Sequence, residues 1–305
     1  MPSDGVSAHI STENIVVSTI VTVIGISGLL SNGAVIISVL FNSQMRNSFG
    51  VLCLSHAVAN IGVMLICIFW LTPTTIMATV VTDESFGKVM GQLNIMFWDV
   101  SVYSHLTISL NRVVAIIFPY HASELLSTRN TFIAVAVVWC LGFFHATPYF
   151  WTDTCYIYYD NVQWVWMFGR TIFVILLLDI TTYIKLRQTN KAMNNQRNGS
   201  SVSQAEHQRR RQMEAKLFIQ ALYQNVLFLY EIASSYYIAT FFQSQWALFF
   251  TTTFAWEVCH AFDGFMVILY NFHFSFIGSL IRNSGAVLKK RQRPTTIAST
   301  TVWTI

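Results

Sequence analysis

Seven stretches of this chain are long and apolar enough to cross a bilayer, and nothing else in it constrains the fold so strongly. A spanning helix needs roughly 20 mostly apolar residues. The stretches are residues 15–41, 49–71, 89–118, 131–150, 162–186, 217–242 and 246–271. The first, second and fourth carry no acidic or basic side chain; the others carry one or more but keep the length and the apolar flanks. Of all residues 54% are hydrophobic and 10% charged, where a soluble domain has about a quarter charged. A soluble helical protein would also show polar faces throughout. The expected fold is an all-α membrane protein, a seven-transmembrane helix bundle over residues 15–271. An outer segment 1–14 precedes it and a tail 272–305 follows.

Basic residues set the orientation, because they collect in short cytoplasmic loops. With the amino terminus outside, the cytoplasmic face holds Arg46, Arg112 and Arg129. It also holds the eight basic residues from Lys185 to Lys216 and the five from Arg282 to Arg293. Lys88 alone stays outside, and Arg170 lies within a span. The opposite orientation reverses the bias, so the amino terminus is expected outside and the carboxyl terminus in the cytoplasm. Trp70, Trp151, Tyr156, Tyr158, Tyr159, Trp164 and Trp166 gather at the outer ends of spans, where amphipathic rings favour the headgroup level. The sequon Asn198-Gly199-Ser200 falls inside and is expected to carry no sugar. The first fourteen residues lack the basic start of a cleavable signal, so the first span serves as the anchor. Five cysteines rule out a disulfide scaffold.

Leu110-Asn111-Arg112-Val113-Val114 puts an arginine at the end of the third span. A guanidinium cannot be neutralised and is expensive near hydrocarbon, so Arg112 is a functional candidate. Asp99, Arg170, Asp179, Glu231, Glu257 and Asp263 also lie within spans and should face the bundle interior. The run Arg209-Arg210-Arg211 sits among good helix formers that extend the sixth helix, where it meets either anionic lipid or a signalling partner.

Marker residues then fall into a ladder: Asn32 in the first span, Asn60 in the second, Arg112 with Pro119 in the third, Trp139 with Pro148 in the fourth. This ladder resembles the rhodopsin-like G-protein-coupled receptors. Several stretches are most similar to the nematode serpentine receptors of class X, a chemoreceptor family. They are Arg46-Asn47-Ser48-Phe49-Gly50, Ser109-Leu110-Asn111-Arg112, Phe118-Pro119, Phe218-Ile219-Gln220 and Asp263-Gly264. The resemblance covers residues 20–280 or so. It implies a small-molecule ligand in the outer half of the bundle and a heterotrimeric G protein on the cytoplasmic side. It also implies a plasma-membrane location, such as a sensory cilium.

Departures from the rhodopsin-like pattern are specific. Asn111 replaces the acid before the arginine and removes an intrahelical ion pair. Asn60 replaces an aspartate, and Gly87 stands where a disulfide cysteine is usual, so Cys155 has no obvious mate. The sixth helix lacks a Trp-x-Pro kink, and Asp263-Gly264 replaces Asn-Pro. The switch residues implied are Asn60, Asn111, Arg112, Asp263, Arg209, Arg210 and Arg211. Arg112, Asp263 and Asn60 form an inner network, either a two-state latch or a static set of interhelical hydrogen bonds. The ligand-binding residues implied are Asn94, Trp98, Asp99, Arg170, Tyr236 and Glu257. Arg170 either grips an acidic ligand through its fork or pairs with Asp99 or Glu257.

Enzyme chemistry is not expected. There is no His-Glu-x-x-His helix, no Cys-x-x-Cys and no Gly-x-Ser-x-Gly elbow. His56, His105, His145 and His260 read as scattered residues with core hydrogen bonds, so no metal and no cofactor is expected. The seventh span has no lysine for a retinal Schiff base. The rival readings are a seven-helix ligand-gated channel, which would place the amino terminus inside, and an intramembrane enzyme without a recognisable motif.

Overall fold

The computed structural model describes residues 11–41, 45–77, 84–117, 122–147, 157–168, 223–224 and 226–270. Contacts divide the chain into a compact unit, Met1–Ile268, and a second, Leu269–Ile305; the architecture below is that of the first.

Helices dominate. They are α1 (Thr12–Phe41), α2 (Ser48–Met77), α3 (Glu84–Ile117), the one-turn α4 (Ala122–Leu125) and α5 (Thr128–Ala146). After a β-hairpin come α6 (Val226–Phe241), the short α7 (Gln245–Thr251) and α8 (residues 253–270). Among the described residues α1, α2 and α5 are long and apolar enough to cross a membrane. Their outward faces carry bare hydrophobes, Leu30 and Phe41 on α1 and Phe132 and Phe144 on α5. Such a surface suits lipid rather than water.

Local chemistry fixes the helix starts. Asn47 caps α2 by accepting from the Gly50 amide at 3.0 Å, and Ser127 caps α5 by accepting from the Asn130 amide at 3.4 Å. Near its end α2 widens into a π-turn over Cys67–Leu71. Pro73 follows, has no N–H to offer the preceding turn, and so forces the shift. The Cys67 carbonyl accepts both the Thr72 amide and, at 3.2 Å, the Thr72 hydroxyl. The helix thereby continues to Met77, beyond the expected end at residue 71.

The expected fifth span begins at residue 162, but residues 161–164 form a turn and Val165–Phe168 is a strand. Strand β2 (Val165–Phe168) pairs antiparallel with β1 (Ile157–Asp160), with Tyr159 opposite Trp166. Asp160 makes the turn by accepting from the Val162 and Gln163 amides at 2.8 and 3.1 Å. Residues 169–222, with the rest of the expected fifth span, lie outside the described residues.

The hairpin caps one end of the bundle. Trp164 adopts φ 59°, a left-handed backbone costly for a large side chain, and is held there from three sides. Its indole N–H donates to Asn14 of α1 at 3.0 Å, and its carbonyl accepts from the Thr253 hydroxyl at 2.7 Å. The Gln245 side chain donates to the carbonyl of Val162 beside it. Tyr159, Trp164 and Trp166 were expected at the headgroup level; all three are buried under neighbouring helices. Burial pushes the Tyr159 phenol up, against the hydrogen bond from the Thr75 hydroxyl.

Candidate functional site

At mid-bundle, α1, α2, α3 and α8 meet through side chains that cannot be left unpaired in an apolar interior. Asn32 on α1 donates to the carbonyls of Gly28 and His260 at 2.9 and 3.2 Å. Asn60 on α2 donates to Asn32 Oδ1 at 3.2 Å. Its own Oδ1 accepts from Ser101 of α3 at 2.9 Å and lies 2.9 Å from His260 Nδ1. One turn before Asn60, His56 presents Nδ1 to Ser101 Oγ at 3.3 Å and Nε2 to Asp263 Oδ2 at 3.2 Å. His105, one turn after Ser101, approaches the same Oδ2 at 2.9 Å. Helical spacing does the assembly, since residues four apart, or three as in His260 and Asp263, share a face.

Gly264 lets α8 come close enough for this. A Cβ there would stand 2.7 Å from the Asn32 backbone nitrogen, nearer than atoms can pack. The Asp-Gly pair therefore has two physical jobs in adjacent residues: a carboxylate for the cluster and a gap for α1.

Asn60 and Asp263 are thus brought near one another, with His56 between them. Arg112 lies in the α3 backbone, but its side chain is outside the described residues. The reading of the histidines as scattered is corrected here. His56, His105 and His260 converge, and the ligand atoms of His56, His105 and Asp263 lie within 4.8 Å of one another. Only His145 stands apart, with Nδ1 2.9 Å from Asp99 Oδ1. Sequence reasoning missed the convergence because it weighed the histidines against one another. Weighed against Asn60 and Ser101 at one-turn offsets, they align.

Between this cluster and the hairpin lies a cavity of about 360 Å³, lined by Trp98, Trp166, Trp256, Tyr236, Glu231 and Thr252 among others. Trp98 and Trp256 stand with ring centroids 5.8 Å apart, Trp166 and Trp256 6.4 Å. The Trp98 indole donates to Glu231 at 2.6 Å, and both side chains also line a smaller cavity of about 10 Å³ against His105 and Asp263. Of the expected ligand contacts, Trp98 and Tyr236 are in the large wall. Asn94 is buried on α3 outside that lining, and Asp99 faces His145 of α5. Glu257 is buried against the thiol of Cys67, also outside the lining. Arg170 is outside the described residues. Glu231 and Trp166 were not among the expected contacts. An acid in an otherwise apolar span marked Glu231, whereas Trp166 needed the hairpin to be known.

At the opposite end of α3, Asn111 donates to Ser48 Oγ at 3.1 Å, and Thr131 of α5 donates to the same oxygen at 2.7 Å. Asn111 thus ties α3 to the start of α2. Arg209, Arg210 and Arg211 lie outside the described residues.

A lipid-suited helical bundle with a buried polar crossing and an aromatic cavity under a hairpin is that of a membrane protein, and comparison with known proteins gives its family. The model of the serpentine-type seven-transmembrane G-protein-coupled chemoreceptors Srx matches residues 22–271, and the chain belongs to that family. Serpentine receptor class X 45 of Caenorhabditis elegans is 23% identical over 265 residues, 76% of this chain and 72% of that protein. The allatostatin-A receptor of Bombyx mori is 27% identical over 125 residues, 41% of this chain and 35% of that one. Lysophosphatidic acid receptor 6 of Gallus gallus is 25% identical over 221 residues, 63% of this chain and 70% of that one. The chain is therefore a membrane protein of a receptor family, and that family is not one of enzymes.

Proposed function

We propose that this chain is a chemosensory receptor that binds a small molecule in the cavity beneath the hairpin and signals through a heterotrimeric G protein. In this reading seven helices span the plasma membrane, of a sensory cilium among other places. The amino terminus is outside and the basic loops and tail are in the cytoplasm. The observation that carries it is the cavity of about 360 Å³ walled by three tryptophans and Tyr236, a size and lining suited to a small ligand. Trp98 in that wall and Arg112 belong to one helix, α3, so a shift of α3 on ligand binding reaches the partner's end. A ligand does this by preferring one of two helix arrangements. Asn60, Asp263 and Asn111 are the polar joints between those arrangements. Arg112, with Arg209, Arg210 and Arg211, meets the G protein.

Trp98 and Tyr236 contact the ligand, and an acidic ligand is held by Arg170. Asn94, Asp99 and Glu257 support the site from behind the wall. The test is a panel of odorants and small organic acids on cells expressing the full chain, read by second messenger. Arg112→Ala is run in parallel. The expected result is a response that Arg112→Ala abolishes at unchanged surface expression. A response that survives in Arg112→Ala rejects G-protein coupling through this residue. An ion current that needs no G protein supports the channel reading instead.

A further inference from the structure

We propose that His56, His105 and Asp263 form a binding site for a Zn²⁺-class transition-metal ion, coordinated through both Nε2 atoms and one carboxylate oxygen. The ion would clamp α2, α3 and α8 together. The inference goes beyond the receptor reading and holds whether or not the chain couples to a G protein.

Geometry is the first support. Zinc binds imidazole nitrogen at about 2.0–2.1 Å and carboxylate oxygen at about 2.0–2.2 Å, which sets neighbouring ligands of a tetrahedron roughly 3.4 Å apart. The two nitrogen–oxygen edges here are 3.2 and 2.9 Å. The third edge, under 4.8 Å, closes by a small turn of one ring. His56 and His105 already lie in contact, with ring centroids 4.1 Å apart. The small cavity of about 10 Å³ touches His105 and Asp263 and is about the space one water needs, which suits the open fourth position of a three-ligand site.

The hydrogen bonds are the second support. His56 Nε2 lies 3.2 Å from Asp263 Oδ2, which needs a donor, and 3.2 Å from Asn60 Nδ2, which needs an acceptor. One ring nitrogen cannot serve both. A proton on Nε2 also leaves Nδ1 needing a hydrogen from Ser101, whose one hydrogen is directed to Asn60 Oδ1. A cation among the three ligand atoms replaces both claims on Nε2, and the Asn60 amide keeps its hydrogen bond to Asn32 Oδ1 at 3.2 Å. Nε2 then gives its lone pair to the metal, and the single proton of the neutral ring sits on Nδ1 instead. Nδ1 donates to Ser101 Oγ, which donates on to Asn60. A metal-bound imidazole whose other nitrogen is so anchored is the usual second layer of such a site. Imidazole and carboxylate together favour a transition ion over an alkali ion.

The test uses the purified full chain in lipid nanodiscs, stripped with a chelator and then given Zn²⁺, Mg²⁺ or Na⁺. One Zn²⁺ per chain is expected. At a hundredfold excess over Kd it should raise the unfolding midpoint by about 5 °C, reversed by chelator. Ser101→Ala should weaken binding about 10- to 100-fold with the fold retained. His105→Asn should lose the metal. If His105→Asn fails to fold, Co²⁺ bound to the unaltered chain decides, through its visible spectrum and X-ray absorption. Two imidazoles and a carboxylate support the site, and any other ligand set overturns it. No retained Zn²⁺, a shift that Na⁺ alone reproduces, or metal kept by His105→Asn also overturns it.

Discussion

The central polar cluster and the cavity beneath the hairpin share α3, with Trp98 and Ser101 less than one turn apart, yet they are built on opposite principles. In the cluster every contact is directional. Asn32, Asn60, His56, Ser101, His260 and Asp263 each present a named atom to another across four helices. A buried polar network of that kind admits only discrete arrangements and penalises those in between. The cavity wall is built around three tryptophans whose rings meet at 5.8 to 6.4 Å, with Glu231, Ser235, Thr240 and Thr252 beside them. Such a wall excludes water and tolerates several occupants. The contrast teaches where stability and selectivity reside: the cluster sets the helices, and the cavity reads what enters.

The largest effect is expected from Asn60→Leu, which keeps side-chain bulk and deletes the polar head. Asn60 joins α2 to Asn32 on α1, Ser101 on α3 and His260 on α8. A buried partner left unpaired costs about 1–3 kcal/mol, so three orphans cost about 3 kcal/mol or more. Thermal unfolding of the purified protein measures this. A loss under about 1 kcal/mol would break the comparison, because the cluster would then hold nothing in place.

How the two regions reveal themselves in the amino-acid order differs for the same reason. The cluster is carried by helices, whose 3.6-residue repeat turns spacing into position. Asn32, Asn60 and Asp263 could be placed on inner faces from their spans alone. His56 and His105 sit one turn from Asn60 and Ser101, so that rule would have joined them too. The cavity has no such rule. Its floor, Trp98, comes from a helix, but Trp166 reaches it on a strand. The apolar run from residue 162 reads as well for a helix as for the hairpin that forms. Glu231 announced itself as an acid in a span, though nothing in its spacing said that Trp98 would be its donor.

A middle-sized effect is expected where the regions touch. The Trp98–Glu231 hydrogen bond, 2.6 Å, stands in the wall of both cavities. Trp98→Phe removes the N–H and keeps an aromatic ring. A net hydrogen bond contributes about 0.5–1.5 kcal/mol, so the variant should lose about 1 kcal/mol. A double-mutant cycle with Glu231→Leu isolates the bond, with a coupling of about 1 kcal/mol expected. Additive effects of the two substitutions would remove Trp98 as the joint between the regions.

The smallest effect on stability, and the sharpest separation of roles, is expected from Thr252→Val in the cavity wall. The Thr252 hydroxyl donates at 2.6 Å to the Leu248 carbonyl one turn back, a local bond that holds no second element. Valine keeps the branched shape, and losing a bond of this back-bonding kind costs little in a helix. The unfolding midpoint should move by no more than about 0.5 kcal/mol in equivalent stability. Thr252 lines the cavity, however, and a ligand that accepts from or donates to its hydroxyl should lose about tenfold in potency, the equivalent of one hydrogen bond of about 1.4 kcal/mol. Dose–response curves with a ligand from the odorant panel give the potency, and the same preparation gives the midpoint. If Thr252→Val unfolds the protein as Asn60→Leu does, the wall is structural and the division between the regions fails. If stability holds and potencies change for some ligands but not others, the cavity is the selective element and the cluster beneath it the fixed frame.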